Sequence, residues 1–398
     1  MSSTYRACPI CNNLSFKEFY RRRHNLCSGH PLVGEYIAVV CQNCGMVFNQ
    51  TAYSPQSIRK YYQEFSKYIP RKKLNVDTYY YEIARILSEL VPDQSSVVLD
   101  IGCGGGELLT ALRDAGFSNL MGMDPSPDCV KHITQNLNIP CWVGNLDKDV
   151  FPSAICDVAV STGVFEHLMD PVAAARRLVN LINPGGCAFV LVPDLARYTI
   201  HLSTPFQEFS VEHINHFSRC SLANVFSSVG WDLVNCGEID RVVTSTCCYP
   251  DLWILIRMSE ISTTLEKDLA SADFLSSYID SSTVLLNKIN DHLYHQFTDI
   301  NQYLIWGAGQ MSSLLLGETI MRERQPVAVI DENPSYTGRS LAGAYILNGD
   351  MAHAMRDRTE IKDVPIVIAT LREVTAIMNW IRSRGWANRI ITLLPEKN

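Results

Sequence analysis

Histidine titrates near neutrality, and the stretch Phe206-Gln207-Glu208-Phe209-Ser210-Val211-Glu212-His213-Ile214-Asn215-His216-Phe217-Ser218 sets His213 and His216 among carboxylates. His213 beside Glu212 has the makings of a general base or acid. His167, in Phe165-Glu166-His167-Leu168, follows a stretch of strand character and should open onto the same cleft, whereas His216 reads first as a structural histidine. A second constellation is built from sulfur. Cys8-Pro9-Ile10-Cys11 and Cys41-Gln42-Asn43-Cys44 are two CxxC knuckles, and Gly45 follows the second where a tight turn needs it. Four thiolates at this spacing suit tetrahedral Zn2+, leave no open coordination position and therefore predict a structural site without chemistry of its own.

The elements that must position these groups follow from periodicity. Ile83, Ile86, Leu87 and Leu90 have helical spacing and end before Pro92. Val97-Val98-Leu99-Asp100 reads as a buried parallel strand, Gly102-Cys103-Gly104-Gly105-Gly106 as a turn, and residues 107–115 as the helix that follows. Leu120 to Met123 forms a second strand ending on Asp124. Further strand candidates at residues 158–160, 188–192, 231–235 and 253–257, with helices between the earlier ones, give the alternation of a doubly wound α/β sheet. Residues 258–297 read as a helical connector with Leu265, Leu269, Leu275, Leu285, Leu286, Ile289 and Leu293 inward. A second βα alternation then starts at Tyr303 to Trp306, turns at Gly307-Ala308-Gly309, continues to Asp331 and closes with strands at 366–369 and 389–394 around a helix at about 373–384.

A glycine turn after a strand lets backbone approach a nucleotide closely and by itself is a weak signal. Here an acid, Asp100, precedes the turn. Asp124, ending the next strand, can accept hydrogen bonds from ribose hydroxyls, and Asn145-Leu146-Asp147 follows the third strand region, where a side chain can meet an adenine edge.

With Leu181-Ile182-Asn183-Pro184-Gly185-Gly186 before the fifth strand, these ordered motifs resemble class I S-adenosylmethionine-dependent methyltransferases over about residues 77–257. The resemblance implies that Gly102, Gly104 and Gly106 face the methionine part of the cofactor, Asp124 its ribose and Asp147 its adenine, with Asp100 a further cofactor-binding residue. Together with the cysteine knuckles and the C-terminal motifs Ile305-Trp306-Gly307-Ala308-Gly309-Gln310-Met311 and Asp331-Glu332-Asn333-Pro334, the whole chain is similar to the three-domain sugar C-methyltransferases of deoxysugar biosynthesis. That implies a class I methyltransferase doubly wound sheet flanked by an N-terminal zinc-binding domain and a C-terminal Rossmann-like domain, divided as 1–72, 73–257, a helical connector 258–300, and 301–398. It further implies a nucleotide-linked keto-deoxysugar as substrate, His213 as the base that generates an enolate, Glu212 orienting it, and His167 contacting the sugar or the enolate. The sequence departs from the family at Ser210, where many members carry Tyr. A carbon acceptor is therefore weighed against oxygen or nitrogen of a sugar or other small molecule, and an enzyme against a non-catalytic scaffold.

Composition sets the outer bounds. At 398 residues, 47% hydrophobic and 19% charged, the chain predicts several folded domains. A net charge of −7 argues against a dedicated nucleic-acid partner. Apolar stretches are too short to span a bilayer, and the N-terminus lacks the apolar core of a signal peptide, so a cytoplasmic monomer or homodimer is expected, its 14 cysteines being thiols or ligands. Oxidoreduction at the Gly307–Gly309 turn, with Asp331 as ribose acceptor on NAD, is the remaining alternative.

Overall fold

The computed structural model describes residues 5–65, 77–146, 152–244, 247–259 and 264–395. Three sheets organise them. The first is antiparallel, with β1 (Phe16–Arg23), β2 (Glu35–Cys41) and β3 (Val47–Asn49) paired in order. Both of its faces are covered: Ile37, Val39 and Phe48 on one and Val47 on the other are fully buried.

The central sheet contains β4 (Val97–Ile101), β5 (Asn119–Asp124), β6 (Cys141–Val143), β7 (Cys156–Thr162) and β8 (Ile182–Pro193). These five run parallel, and the strands at the centre are apolar on both faces: Val98, Leu99, Ala159, Val160, Phe189 and Val190 are all buried. The Asn183-Pro184-Gly185-Gly186 turn is drawn into the start of β8, where a bulge separates the Cys156–Ile182 and Val158–Cys187 pairs. A short β9 (Asn215–His216) then leaves this sheet and pairs with β3, completing the first one. The hairpin β10 (Trp231–Thr244) and β11 (Cys247–Met258) closes the edge, with β11 antiparallel to both β8 and β10. The order is β6-β5-β4-β7-β8-β11-β10. It reverses direction at β4, and that switch point is where open sheets bind ligands.

Helix Thr78–Leu90, capped by the Asp77 side chain, buries Ile83, Ile86 and Leu87 against this sheet as its spacing predicts. The connector helix is Ser271–Gln296, with Leu275, Leu286, Ile289 and Leu293 buried. Leu265 and Leu269 were expected inward but are 41% and 79% exposed, because they precede the helix and have no face to share with it.

The third sheet is β12 (Gln302–Trp306), β13 (Gln325–Ile330), β14 (Ser340–Leu341), β15 (Ala344–Leu347), β16 (Ile366–Ile368) and β17 (Ile390–Ile391), ordered β14-β15-β13-β12-β16-β17. Only β14 is antiparallel, and its short hairpin with β15 has no signal in the alternation pattern. Among the described residues no helix is long and apolar enough to cross a membrane.

Candidate functional site

The carboxyl ends of the central strands open into a cleft of about 1140 Å³ that the helix Pro55–Glu64 and the turns of the C-terminal sheet help to line. At its floor the chain leaves β4 through Gly102, Gly104 and Gly106, each in the left-handed region (φ 76°, 51° and 86°). Glycine is needed at Gly106 for conformation and for space, since a Cβ there would meet Leu137 at 2.5 Å. A Cβ at Gly104 would meet nothing within 4 Å, so the backbone there faces open space. Asp124, at the end of β5, accepts from the N–H of Gly104 (2.9 Å) and of Ser126 (2.8 Å). Burial raises its pKa while those two N–H groups oppose the rise. Asp100 is buried too; its Oδ1 has no hydrogen-bond partner among the described residues, and burial together with nearby Asp124 and Glu107 pushes the carboxyl up to about 8. An orphaned carboxylate oxygen, two further acids and an open glycine cradle fit a cationic ligand bearing a ribose, and S-adenosylmethionine is such a molecule. Asn145 and Leu146 line the same cleft, while Asp147, expected at the adenine, lies outside the described residues.

Above this floor sit two imidazoles with ring centroids 4.9 Å apart, those of His167 and His213. His167 Nδ1 donates to the Glu212 carbonyl at 2.8 Å, which directs Nε2 toward Glu166 Oε1 at 3.8 Å. Glu166 is buried with Oε2 unpartnered among the described residues, and burial pushes it up to about 7. His213 is where the expectation needs correcting. The carboxylate nearest its Nδ1 is Glu208 Oε2 at 3.4 Å, long for a hydrogen bond but within ion-pair reach. Glu212 instead accepts from the Tyr61 hydroxyl at 2.8 Å. Adjacency in sequence misleads here because the chain turns between the two residues, and the Ser210 hydroxyl accepts the His213 N–H at 3.1 Å. Burial alone would lower the His213 pKa, yet Glu208, Glu166 and Glu212 raise it further, leaving it above the ordinary imidazole value. His216 is fully buried between the hydroxyls of Tyr36 (2.5 Å) and Tyr198 (3.1 Å), and burial lowers it to about 3; its surroundings are those of a neutral core histidine.

Glu208 is the residue that local reasoning missed. It is 1% exposed, and its backbone N–H donates to the Tyr278 hydroxyl of the connector helix at 2.8 Å. The loop it sits on is pinned from the N-terminal side by buried Arg6, which donates to the Asn49 carbonyl (2.8 Å), the Ile214 carbonyl (2.5 Å) and Asn215 Oδ1 (2.8 Å).

The cysteine site lies at the turns of the first sheet. Sγ atoms of Cys8 and Cys44 are 3.5 Å apart, as are those of Cys11 and Cys41, and all four lie within 4.8 Å of one another. A tetrahedron with Zn–S bonds of about 2.3 Å has edges of roughly 3.8 Å, so the donor set fits one zinc ion. Backbone N–H groups of Ile10 and Cys11 point at Cys8, and those of Asn43 and Cys44 at Cys41, as sulfur ligands require. Gly45 (φ 81°) is held where a Cβ would strike the Asp268 carbonyl at 2.0 Å.

Comparison with known proteins places this geometry. A family model described as a methyltransferase domain matches residues 76–235. Over 192 residues the chain is 29% identical to a tRNA U34 carboxymethyltransferase of Saccharophagus degradans, covering 41% of this chain and 58% of that protein. It is 29% identical over 178 residues to protein arginine N-methyltransferase 1 of Dictyostelium discoideum, covering 39% and 48%. The chain thus spans about half the length of these curated relatives. Among solved structures, the PH0226 protein of Pyrococcus horikoshii superposes with a TM-score of 0.40 at 17% identity, covering 50% of this chain and 99% of that one. The central sheet has the α/β class I methyltransferase fold, and the match of residues 76–235 to the methyltransferase-domain model falls on it.

Proposed function

We propose that the chain is an S-adenosylmethionine-dependent methyltransferase acting on a nucleotide-linked keto-deoxysugar, with the methyl group placed on the carbon beside the keto group. The observation that carries this reading is the His213 imidazole, backed by Glu208 at 3.4 Å and faced by His167, on the wall of the cleft whose floor is the glycine turn. The division into an N-terminal zinc domain (1–72), a methyltransferase core (73–257), a connector (258–300) and a C-terminal domain (301–398), in a cytoplasmic protein, belongs to the same proposal.

When bound, S-adenosylmethionine supplies an electrophilic methyl on a sulfonium. Asp100, Gly102, Gly104, Gly106 and Asp124 would hold it. A carbon next to a ketone becomes nucleophilic only when its proton is removed and the resulting oxyanion is stabilised. With Nδ1 turned to Glu208, His213 keeps Nε2 to take that proton, and its raised pKa makes it a stronger base than an ordinary imidazole. Because Nδ1–H of His167 is committed to the Glu212 carbonyl, Nε2, 3.8 Å from Glu166 Oε1, is the ring nitrogen left to contact the sugar or the enolate oxygen.

The test is incubation of the purified protein with methyl-labelled S-adenosylmethionine and a panel of nucleotide-linked 4-keto sugars, read by mass spectrometry and carbon NMR. A new C–CH₃ on the sugar is expected, lost in His213→Ala. A label found on oxygen or nitrogen would replace the enolate step with simple deprotonation, and absence of S-adenosylhomocysteine binding by calorimetry would leave only a scaffold.

A further inference from the structure

Three groups on the wall of the cleft stand closer together than proton transfer by one imidazole requires. A ring nitrogen of His167, a ring nitrogen of His213 and a carboxylate oxygen of Glu166 all lie within 4.8 Å of one another. Glu166 Oε1 and His167 Nε2 are 3.8 Å apart. With bonds of about 2.1 Å a tetrahedral ion spaces its donors roughly 3.4 Å apart, so small side-chain rotations bring the trio onto one ion. Two imidazoles and a carboxylate suit zinc and its first-row neighbours.

The surroundings of each donor are independent support. His167 Nδ1 donates to the Glu212 carbonyl at 2.8 Å and His213 Nδ1 faces Glu208 Oε2 at 3.4 Å, so each ring has an oxygen behind it and Nε2 left to ligate. Metal-bound histidines are oriented by oxygens in this way. Glu166 is 4% exposed, and its Oε2 has no hydrogen-bond partner among the described residues, a desolvated oxygen that a cation would satisfy. The local charge has the matching sign. Glu208, Glu166, Glu212 and Asp251 all act on His213, whereas the cation that acts on Glu166 and Asp251 is Arg241. Even with Arg59 and Arg372, the other arginines lining the cleft, these four carboxylates outnumber the guanidiniums. Both histidines line the cleft, so an ion held there keeps a coordination position open toward it.

We propose that Glu166 and the Nε2 atoms of His167 and His213 form a site for a divalent transition-metal ion, and that filling it silences methyl transfer. An ion on Nε2 of His213 occupies the lone pair that would take the acceptor proton, so metal and turnover exclude each other. The site exists without methyl transfer; its consequence alone rests on the function proposed above.

Co2+ is the probe, because thiolate ligands give it intense charge-transfer bands and nitrogen and oxygen ligands only weak d–d bands. The zinc-loaded full chain would be titrated with cobalt chloride by calorimetry and visible absorption, with methyl transfer followed in the same samples. One further Co2+ per chain should bind with d–d bands alone, and turnover should fall with the same midpoint. Glu166→Gln and His167→Gln should each weaken Co2+ by at least about tenfold, and Glu208→Gln, which removes the carboxylate behind His213, by about ten- to a hundredfold. S-adenosylhomocysteine binding and the circular dichroism melt identify the variants that fold, and either ligand variant alone decides. Thiolate bands, no added Co2+, or binding indifferent to a folded ligand variant overturns the site. Co2+ bound at this trio with turnover unchanged or raised overturns the exclusion. Co2+ binding that depends on Glu166 in a protein that binds no S-adenosylhomocysteine would overturn methyl transfer and leave the metal site standing.

Discussion

The two glycine turns of this molecule share one backbone device and differ in charge. After β4, Asp124 accepts from Gly104 N–H (2.9 Å) and Ser126 N–H (2.8 Å); after β12, Asp331 accepts from Ala308 N–H (2.6 Å) and Asn333 N–H (2.8 Å). Each acid ties its turn to the neighbouring strand in the same way. Around this common frame the side chains diverge. Two residues before the first glycine stands Asp100 in one turn and Ile305 in the other, and the helix that follows begins with Glu107 in one and Gln310 in the other. Gln310 does not face a ligand alone, since it donates to the Phe206 carbonyl at 2.7 Å and so steadies the loop that leads to His213. Backbone geometry therefore makes a nucleotide-shaped turn, and the charge of two or three side chains decides whether a cation or an anion is welcome there.

That contrast can be broken in order of expected effect. The largest blow falls on neither turn directly. If the four cysteines hold the proposed zinc, a chelator should unravel the first sheet, release β9 with the His213 loop and abolish turnover, checked by metal release against methyl transfer. Next, His213→Ala should lower turnover by about 10²–10⁴-fold while calorimetry finds S-adenosylhomocysteine still bound. Asp124→Ala should weaken S-adenosylhomocysteine by about ten- to a hundredfold, the scale of a charged hydrogen bond, whereas Asp331→Ala should change it by less than about twofold; equal losses would erase the distinction between the turns. Asp100, pushed to about 8, is largely protonated at neutrality, and a bound cation favours its ionised form. S-adenosylmethionine affinity should therefore climb as pH rises through that value with a proton released on binding, and Asp100→Asn should flatten the climb. The smallest effect is expected from Glu208→Gln. His213 must be neutral to accept a proton, so kcat/KM falls as pH drops through its raised pKa; without the Glu208 charge the acid limb should move to lower pH.

Much of this was legible in the chain itself. Period-two and apolar runs located all five parallel strands of the central sheet except the three-residue β6, because buried parallel strands are continuous in sequence. Asp100 and Asp124, the acids proposed to face the cofactor, stand at the strand ends where the sequence pattern puts them. What escaped depended on distance along the chain. Glu208 becomes the partner of His213 through a turn that Ser210 closes from within and that Tyr278 and Arg6 hold from distant parts of the chain, which local spacing does not encode. Leu265 and Leu269 fit a helical repeat, yet the helix begins only at Ser271. The acid beside His213 was thus misassigned by adjacency, while the histidines themselves were marked by type.

The pairing of β3 with β9 also bears on how the protein is made. Val47 finds His216, its partner in the sheet, only after the intervening chain has been synthesised, which at ribosomal rates takes roughly ten to thirty seconds. During that interval the nascent N-terminal module offers the free edge of a short apolar strand, a surface that a chaperone could shield or a neighbouring chain could capture. Slower translation before residue 216 would prolong the exposure and should lower the yield of active protein without altering a single residue of it.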